Sequence, residues 1–287
     1  MKPAPFAYVR ADEPEQIVSL LAEHGEDARV LAGGQSLGAV LNMRLAKPSL
    51  LIDLSRSASL ATMREHRGCL EIGAAATQAA LEWRPGLARD LPLLHQAIPN
   101  ISHFQIRNRG TVCGSLAHAD PSAELALCLV ALRGELVLAN AKRQRTVAAD
   151  RFFTGLLSTE RADDELLLAA RYPIAAANDA HGFVEHSMRH GDFAICAAAA
   201  VITDRGLRLA VGGVADRPIA QDWARNLDGD ALEDALNEFA WSLDARDDPL
   251  ITAATRRHLV RTLGRRAVGI ARSRLASRLG HLEILPA

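Results

Sequence analysis

Cysteine is scarce in this 287-residue chain. Only four occur, Cys69, Cys113, Cys128 and Cys196, and they are widely scattered. No pair has the spacing of a zinc knuckle, a redox CxxC or an iron–sulfur cluster, so any metal chemistry is expected on another chain and the thiols are expected to be reduced and mostly buried. Long apolar runs are missing too. The longest, Phe193 to Ile202, spans ten residues, against about 20 for a bilayer-crossing helix. The opening "MKPAPFAYVR" has no hydrophobic signal core, which predicts a cytoplasmic protein. Charge of one sign is not in excess: 33 Lys and Arg face 34 Asp and Glu. No net field therefore draws in nucleic acid or an anionic membrane.

What is present is a large apolar fraction, 49%, enough for more than one domain. "ADEPEQIVSLLAEHGED" reads as a helix, with Asp12 as its cap, Glu15 three residues on, Ile17, Leu20, Leu21 and His24 on one face, and Gly25 as the stop. A buried strand at Ala28–Ala32, a short helix from Leu37 to Arg44 and a strand at Leu50–Leu54 complete a small β-α-β opening. From about residue 55, short strands such as "CLEIGAAAT", "GELVLAN", "RTVAAD" and "ELLLAARYP" alternate with irregular stretches, and one helix lies near Leu91–Ala97. Ile174–Gly182 reads as a linker. Beyond it, Phe183–Arg189, Phe193–Thr203 and Leu207–Val214 read as three strands, followed by helices near Ala231–Leu243 and Thr252–Ser277.

Two glycine turns carry the chemistry. "AGGQS" (Ala32–Ser36) and "TVCGS" (Thr111–Ser115) each offer small residues ending in a serine. Glycine permits positive φ and lets a ligand reach the main chain with no Cβ in the way. Free N–H groups, a hydroxyl and a helix start make a neutral cradle for phosphate oxygens, and two facing cradles suit a pyrophosphate. Two ordinary tight turns are the competing reading. A Walker loop is excluded because neither turn contains lysine. A dinucleotide fold of the Rossmann type has Asp53 in its favour, 20 residues after Gly33. It has against it that "GGQSLG" is not G-x-G-x-x-G and that strands and helices do not then alternate.

The longer segments "LAGGQSLGAVLNMRLAKPSLLIDLSR" and "ISHFQIRNRGTVCGSLAHADPSAEL" resemble the two FAD loops of the medium, flavoprotein subunit of molybdenum hydroxylases. The likeness continues through "FFTGLLSTERADDELLLAARYP", "MRHGDFAICAAAAVI" and "TRRHLVRTLGRRAV". It implies an α+β chain: a vanillyl-alcohol-oxidase (PCMH)-type FAD-binding domain over residues 1–177, with subdomains of about 1–54 and 55–177. A C-terminal domain over 178–287 would carry a three-stranded antiparallel sheet and helices. It further implies that Ala32, Gly33, Gly34, Gln35, Ser36 and Leu37 form one pyrophosphate loop and Thr111, Val112, Cys113, Gly114 and Ser115 the other. Glu124, Asp120 and Leu167 would contact the cofactor, and Phe193 would lie beside the isoalloxazine ring. Implied partners are a large subunit with the molybdenum cofactor and a small subunit with [2Fe-2S] clusters, as a dimer of heterotrimers. Electrons would pass from those clusters through FAD to an external acceptor, with no proton-transfer catalyst in this chain. One departure is Cys113, where the family has glycine. A stand-alone flavin reductase of the same fold and a flavin-less assembly subunit are the alternatives.

Other constellations carry less. Ser115, His118 and Asp120 lie too close in one loop for a nucleophile triad. His181, His186 and His190 are expected at the surface rather than on a metal. Arg256, Arg257, Arg261, Arg265, Arg266 and Arg272 read as a solvated helix face, with subunit docking as the second reading. Arg107–Gly110 ("RNRG") would add positive potential near a phosphate or serve in a structural ion pair.

Overall fold

The computed structural model describes residues 2–282, with side chains as far as Ser277; Met1 and the last expected residues of the C-terminal domain, 283–287, lie outside it. The chain opens with β1 (Ala7–Arg10), α1 (Pro14–His24), β2 (Ala28–Leu31), α2 (Leu37–Asn42) and β3 (Leu50–Asp53). β3 runs parallel between β1 and β2. Ile17, Val18 and Leu21 bury one face of α1, the spacing that a 3.6-residue period requires.

The next stretch contains β4 (Met63–His66), β5 (Cys69–Gly73), α3 (Gln78–Glu82), α4 (Leu87–Asp90), α5 (Pro92–Ala97), α6 (Phe104–Arg107), α7 (Val112–His118) and α8 (Glu124–Ala131). It continues with β6 (Glu135–Ala139), β7 (Gln144–Ala148), α9 (Ala149–Phe152), β8 (Phe153–Gly155), β9 (Ser158–Thr159) and β10 (Leu166–Pro173). An antiparallel five-stranded sheet forms in the order β4-β5-β10-β6-β7, and β8 and β9 make a small ribbon. Every residue of α8 is buried. That helix is enclosed because α5 and α7 pack on it from its own half of the chain while later strands pack on it from the other.

Those strands are β11 (Ala180–His186), β12 (Cys196–Thr203), β13 (Gly206–Gly212) and β14 (Ile219–Trp223), joined antiparallel in chain order and followed by α10 (Gly229–Ser242) and α11 (Ala253–Leu282). Strand alternation sends side chains to two different cores. Phe183, Ala197, Ala199 and Val201 join the core of the first half. Val184, Cys196, Ala198, Ala200 and Ile202 join the core under α10 and α11. Arg208 of β13, 7% exposed, ties the halves together: its guanidinium donates to Asp150 at 2.6 Å, to Asp222 at 2.8 Å and to the Val130 carbonyl at 3.2 Å.

The mixed fold class expected from the sequence is the one observed, with differences in detail. The C-terminal sheet has a fourth strand, β14, whose polar "AQDW" stretch masked it. Asp12 does not cap α1. Pro14 sets the helix start, so Glu13 occupies the cap position without a side-chain bond, and Asp12 instead accepts two N–H groups from Arg10 at 2.9 Å. The linker shortens to residues 174–179 because β11 begins at Ala180, and His181 is consequently buried at 2% exposure rather than at the surface. The arginines of α11 are largely engaged within the chain. Arg256 is buried and donates to the carbonyls of Ile195, Gly213 and Arg246, Arg265 pairs with Glu233, Arg272 with Asp228, and Arg257 lies 4.7 Å over the Trp241 ring. No helix of the described residues is long and apolar enough to cross a membrane.

α11 can lie this close to β11 because Gly182 has no side chain; a Cβ there would stand 2.0 Å from the Ala267 carbonyl oxygen. Gly182→Ala must push the helix off the sheet, and overpacking of this kind costs about 1–3 kcal/mol or more. The denaturant midpoint of the variant is expected to fall accordingly, with circular dichroism as the readout.

Candidate functional site

The two glycine turns, 79 residues apart in sequence, meet in space. A Cβ on Gly33 would lie 2.1 Å from the Arg109 carbonyl oxygen and 2.7 Å from Gly110 Cα, and a Cβ on Gly114 would lie 3.9 Å from that of Ala32. The first turn runs off the end of β2, where the parallel sheet delivers it, and leads into α2. Gly34 takes φ +71°, the left-handed region that glycine enters without strain. The Gln35 side-chain amide donates to the Gly33 carbonyl at 2.9 Å and fixes the turn from within. Among the described residues, the N–H groups of Gly33, Gly34, Gln35 and Ser36 find no acceptor. Such a row of donors is an anion cradle.

The second turn is the first turn of α7. Thr111 caps it, its Oγ1 accepting from the Gly114 N–H at 2.9 Å. Thr111 also pairs with Thr77, the cap of α3, through an isolated bridge, with Val112 N–H donating to the Ala76 carbonyl and Gln78 N–H to the Gly110 carbonyl. Thr77 and Gln78 escaped sequence reasoning because nothing around them resembles a glycine turn; the Thr-x-x-Ala cap spacing was the available signal. Gly114 must be glycine because a Cβ would sit 2.6 Å from Thr111 Oγ1. Cys113 is helical, 3% exposed, and its Sγ points beneath the turn to the Ile72 carbonyl at 3.4 Å. Burial pushes its thiol up to about 12.

Asp120 and Glu124 follow α7 closely. Asp120 accepts from the Ser122 N–H at 2.8 Å in an Asx turn. Glu124 opens α8 and is 8% exposed; burial first, then the Asp120 charge, holds its carboxyl up at about 7. Glu185 of β11, absent from the sequence reading, shares the strand face of Phe183 and so turns toward the first half of the chain, where α5 packs on β11. Its Oε2 is buried without a partner, and burial, then the Glu124 charge, raises it to about 8. Leu167, in contrast, places its side chain in the core, 4% exposed, at a bulge of β10. Phe193 is 75% exposed. It rides on a loop pinned just after it, where Ser122 Oγ donates to the Ala194 carbonyl at 2.9 Å and Arg256 Nη1 to the Ile195 carbonyl at 2.7 Å.

Two charged residues considered from the sequence take structural roles. Asp53, the ribose acid of a Rossmann reading, accepts instead from Tyr8 OH at 2.5 Å and the Ser55 N–H at 2.7 Å. Arg107 forms a structural pair with Glu82 at 2.8 Å.

A three-stranded parallel sheet and a five-stranded antiparallel sheet that bring two glycine turns together define a flavin-dinucleotide domain, and comparison with known proteins agrees. Residues 4–175 match the family described as FAD binding domain in molybdopterin dehydrogenase. Caffeine dehydrogenase subunit beta of Pseudomonas sp. strain CBB1 is 32% identical, over 99% of each chain. The reconstituted CO dehydrogenase from Oligotropha carboxidovorans superposes with a TM-score of 0.90 at 31% identity, covering 96% of this chain and 100% of that one. Quinoline 2-oxidoreductase from Pseudomonas putida 86 gives 0.88 at 30%, covering 96% and 100%. The chain belongs to the FAD-binding subunits of the molybdenum hydroxylase family, and its cofactor is FAD. It is a subunit of an oxidoreductase.

Two outcomes are expected. In the folded chain the Cys113 thiol should resist alkylation at about pH 8, since only thiolate reacts, while denaturation exposes it to mass-spectrometric labelling. The Glu124 and Glu185 carboxyls should also shape stability. The unfolded chain releases their protons near 4.5, whereas the fold keeps them to about 7 and about 8. The folded state therefore binds more protons across that window, so stability falls as pH rises through it and levels off above. Glu185→Gln is expected to raise the thermal midpoint of the flavin-free chain at about pH 8 and to leave it unchanged near pH 4.5.

Proposed function

We propose that this chain is the electron exit of a molybdenum hydroxylase. In this reading a large partner subunit with the molybdenum cofactor oxidises the substrate, and [2Fe-2S] clusters of a small partner deliver electrons here. The complex is a dimer of heterotrimers, and the chain divides into a PCMH-type FAD-binding domain, 1–177, and a C-terminal domain, 178–287. Support comes from the match to subunits of multi-subunit dehydrogenases over nearly the full chain.

The observation that carries the site is the first turn's row of unpaired N–H groups packed against the second turn. Residues 32–37 and 111–115 would hold the pyrophosphate, with Asp120 and Glu124 along the cofactor, Leu167 offering only its backbone, and Phe193 covering the ring from its pinned loop. Bound FAD accepts electrons singly and releases them singly or in pairs, which suits a junction between one-electron clusters and an external acceptor. The protein's share is binding, orientation and exclusion of water.

Gly33→Val and Gly114→Val test this assignment. Each inserts a branched side chain where there is no room, against the Arg109 carbonyl at Gly33 and the Thr111 hydroxyl at Gly114, and each should yield a folded chain with at least about tenfold less flavin by absorbance. Acid precipitation of the wild type should release the flavin into the supernatant. Wild-type flavin content in both variants would overturn the pyrophosphate assignment.

A further inference from the structure

A cleft of about 340 Å³ opens where the two halves of the chain meet. One wall is the segment running into α6, with Ser102, His103, Phe104, Gln105 and Arg107. His190, on the loop before β12, belongs to the other. The walls touch beside it: a Cβ on Gly191 would stand 3.1 Å from the Ser102 carbonyl oxygen and 3.2 Å from His103 Cε1. Ser102 holds φ +42°, a left-handed conformation that is strained in a residue other than glycine. Arg107 props it there, its Nη1 donating to the carbonyls of Ile101 at 2.9 Å and Ser102 at 3.2 Å. Two residues past Arg107, and so within about 7 Å along the chain, Arg109 presents the carbonyl that meets Gly33. The cleft therefore adjoins the cradle.

Its lining narrows the ligand chemistry. His103 and His190 each offer an imidazole N–H, one from each wall, and Ser102 and Gln105 add a hydroxyl and an amide. The exposed Phe104 ring gives a flat apolar face for stacking. No carboxylate lines the cleft. Nor does a free cation, because Arg107 engages Glu82 through Nε at 2.8 Å and Nη2 at 3.0 Å, and the two carbonyls through Nη1. A nicotinamide dinucleotide would bring phosphates, which need a free guanidinium or a row of N–H groups. An uncharged planar ring with an oxygen at each end finds a stacking partner and a donor from either wall.

We propose that this cleft seats the external electron acceptor, an uncharged planar oxidant of quinone chemistry, with His103 and His190 donating to its two oxygens and Phe104 stacked on its ring. The inference rests on the electron-exit reading above, in which Phe193, three residues past His190, covers the flavin ring. The quinone takes up two electrons and two protons from the reduced flavin and leaves as the hydroquinone. That returns the flavin to its oxidised form and balances the step without a further reductant. The junction of the two halves thereby selects the acceptor, apart from the turns that hold the pyrophosphate.

The test uses the full-length, FAD-loaded chain, photoreduced without oxygen and mixed by stopped flow with duroquinone, whose fully substituted ring resists thiols. Flavin absorbance should return at a rate that levels off with duroquinone concentration, the mark of binding before transfer. His103→Phe and His190→Phe keep a flat ring and remove the N–H. Each should raise the half-saturating concentration about tenfold, the loss of one hydrogen bond, with FAD content unchanged. Phe104→Ala should act in the same direction through lost stacking. All three side chains are exposed, so the fold does not depend on them. NAD in place of duroquinone should leave the flavin reduced. A wild-type rate that climbs linearly with duroquinone, variants that match the wild type, or saturable reoxidation by NAD overturns the cleft assignment and leaves the FAD site intact. A chain that holds no FAD overturns both.

Discussion

The contact on which this molecule turns is the meeting of Gly33 with the Arg109–Gly110 backbone. A single Cβ would be 2.1 Å from a carbonyl oxygen, so the turn leaving the parallel sheet touches the segment between α6 and α7 main chain to main chain. Everything at the site follows from that closeness. The parallel sheet aims the first turn outward from β2, the Thr77–Thr111 bridge aligns α3 and α7 under the second turn, and Gln35 stiffens the loop so that its N–H groups stay unpaired. A pre-formed row of donors needs no rearrangement to meet an anion, and the entropy of ordering it has already been lost in folding.

The C-terminal half contributes in a different way. Its sheet supplies a second face to the first half's core and a pinned loop bearing Phe193. The clamps on that loop, Ser122 from one half and Arg256 from the other, are both polar groups satisfied by backbone carbonyls. A buried guanidinium with three carbonyl acceptors and Asp248 is tolerable only as a complete set. That explains why the arginine-rich helix is not a free basic surface.

Much of this was legible in the sequence, and the boundary of legibility has physical causes. Turn chemistry is local: glycine pairs, serine and an apolar run before them are enough to place Ala32–Ser36 after a strand and Thr111–Ser115 at a helix start. The expectation of buried thiols holds at Cys113, whose Sγ lies beneath the turn. Glu185 was invisible, since a carboxylate in an alternating strand reads as solvent-facing unless the strand's polar-looking face is known to be covered. His181 failed for the same reason. The Asp12 cap failed because Pro14 governs where the helix begins, and β14 because its outward polar residues outnumber its inward ones. Long-range coverage, not local propensity, separates these cases.

The alanine tract of β12 acts as a gauge block. Ala197 and Ala199 face one core while Ala198 and Ala200 face the other, so the layer between α8 and α11 is only a methyl thick on each side. Its thinness sets how near the two cores come to each other. A valine at Ala197 or Ala199 would widen that layer and push α8 away from the sheet. The smallest side chains in the sheet thereby act as the spacer between the two halves.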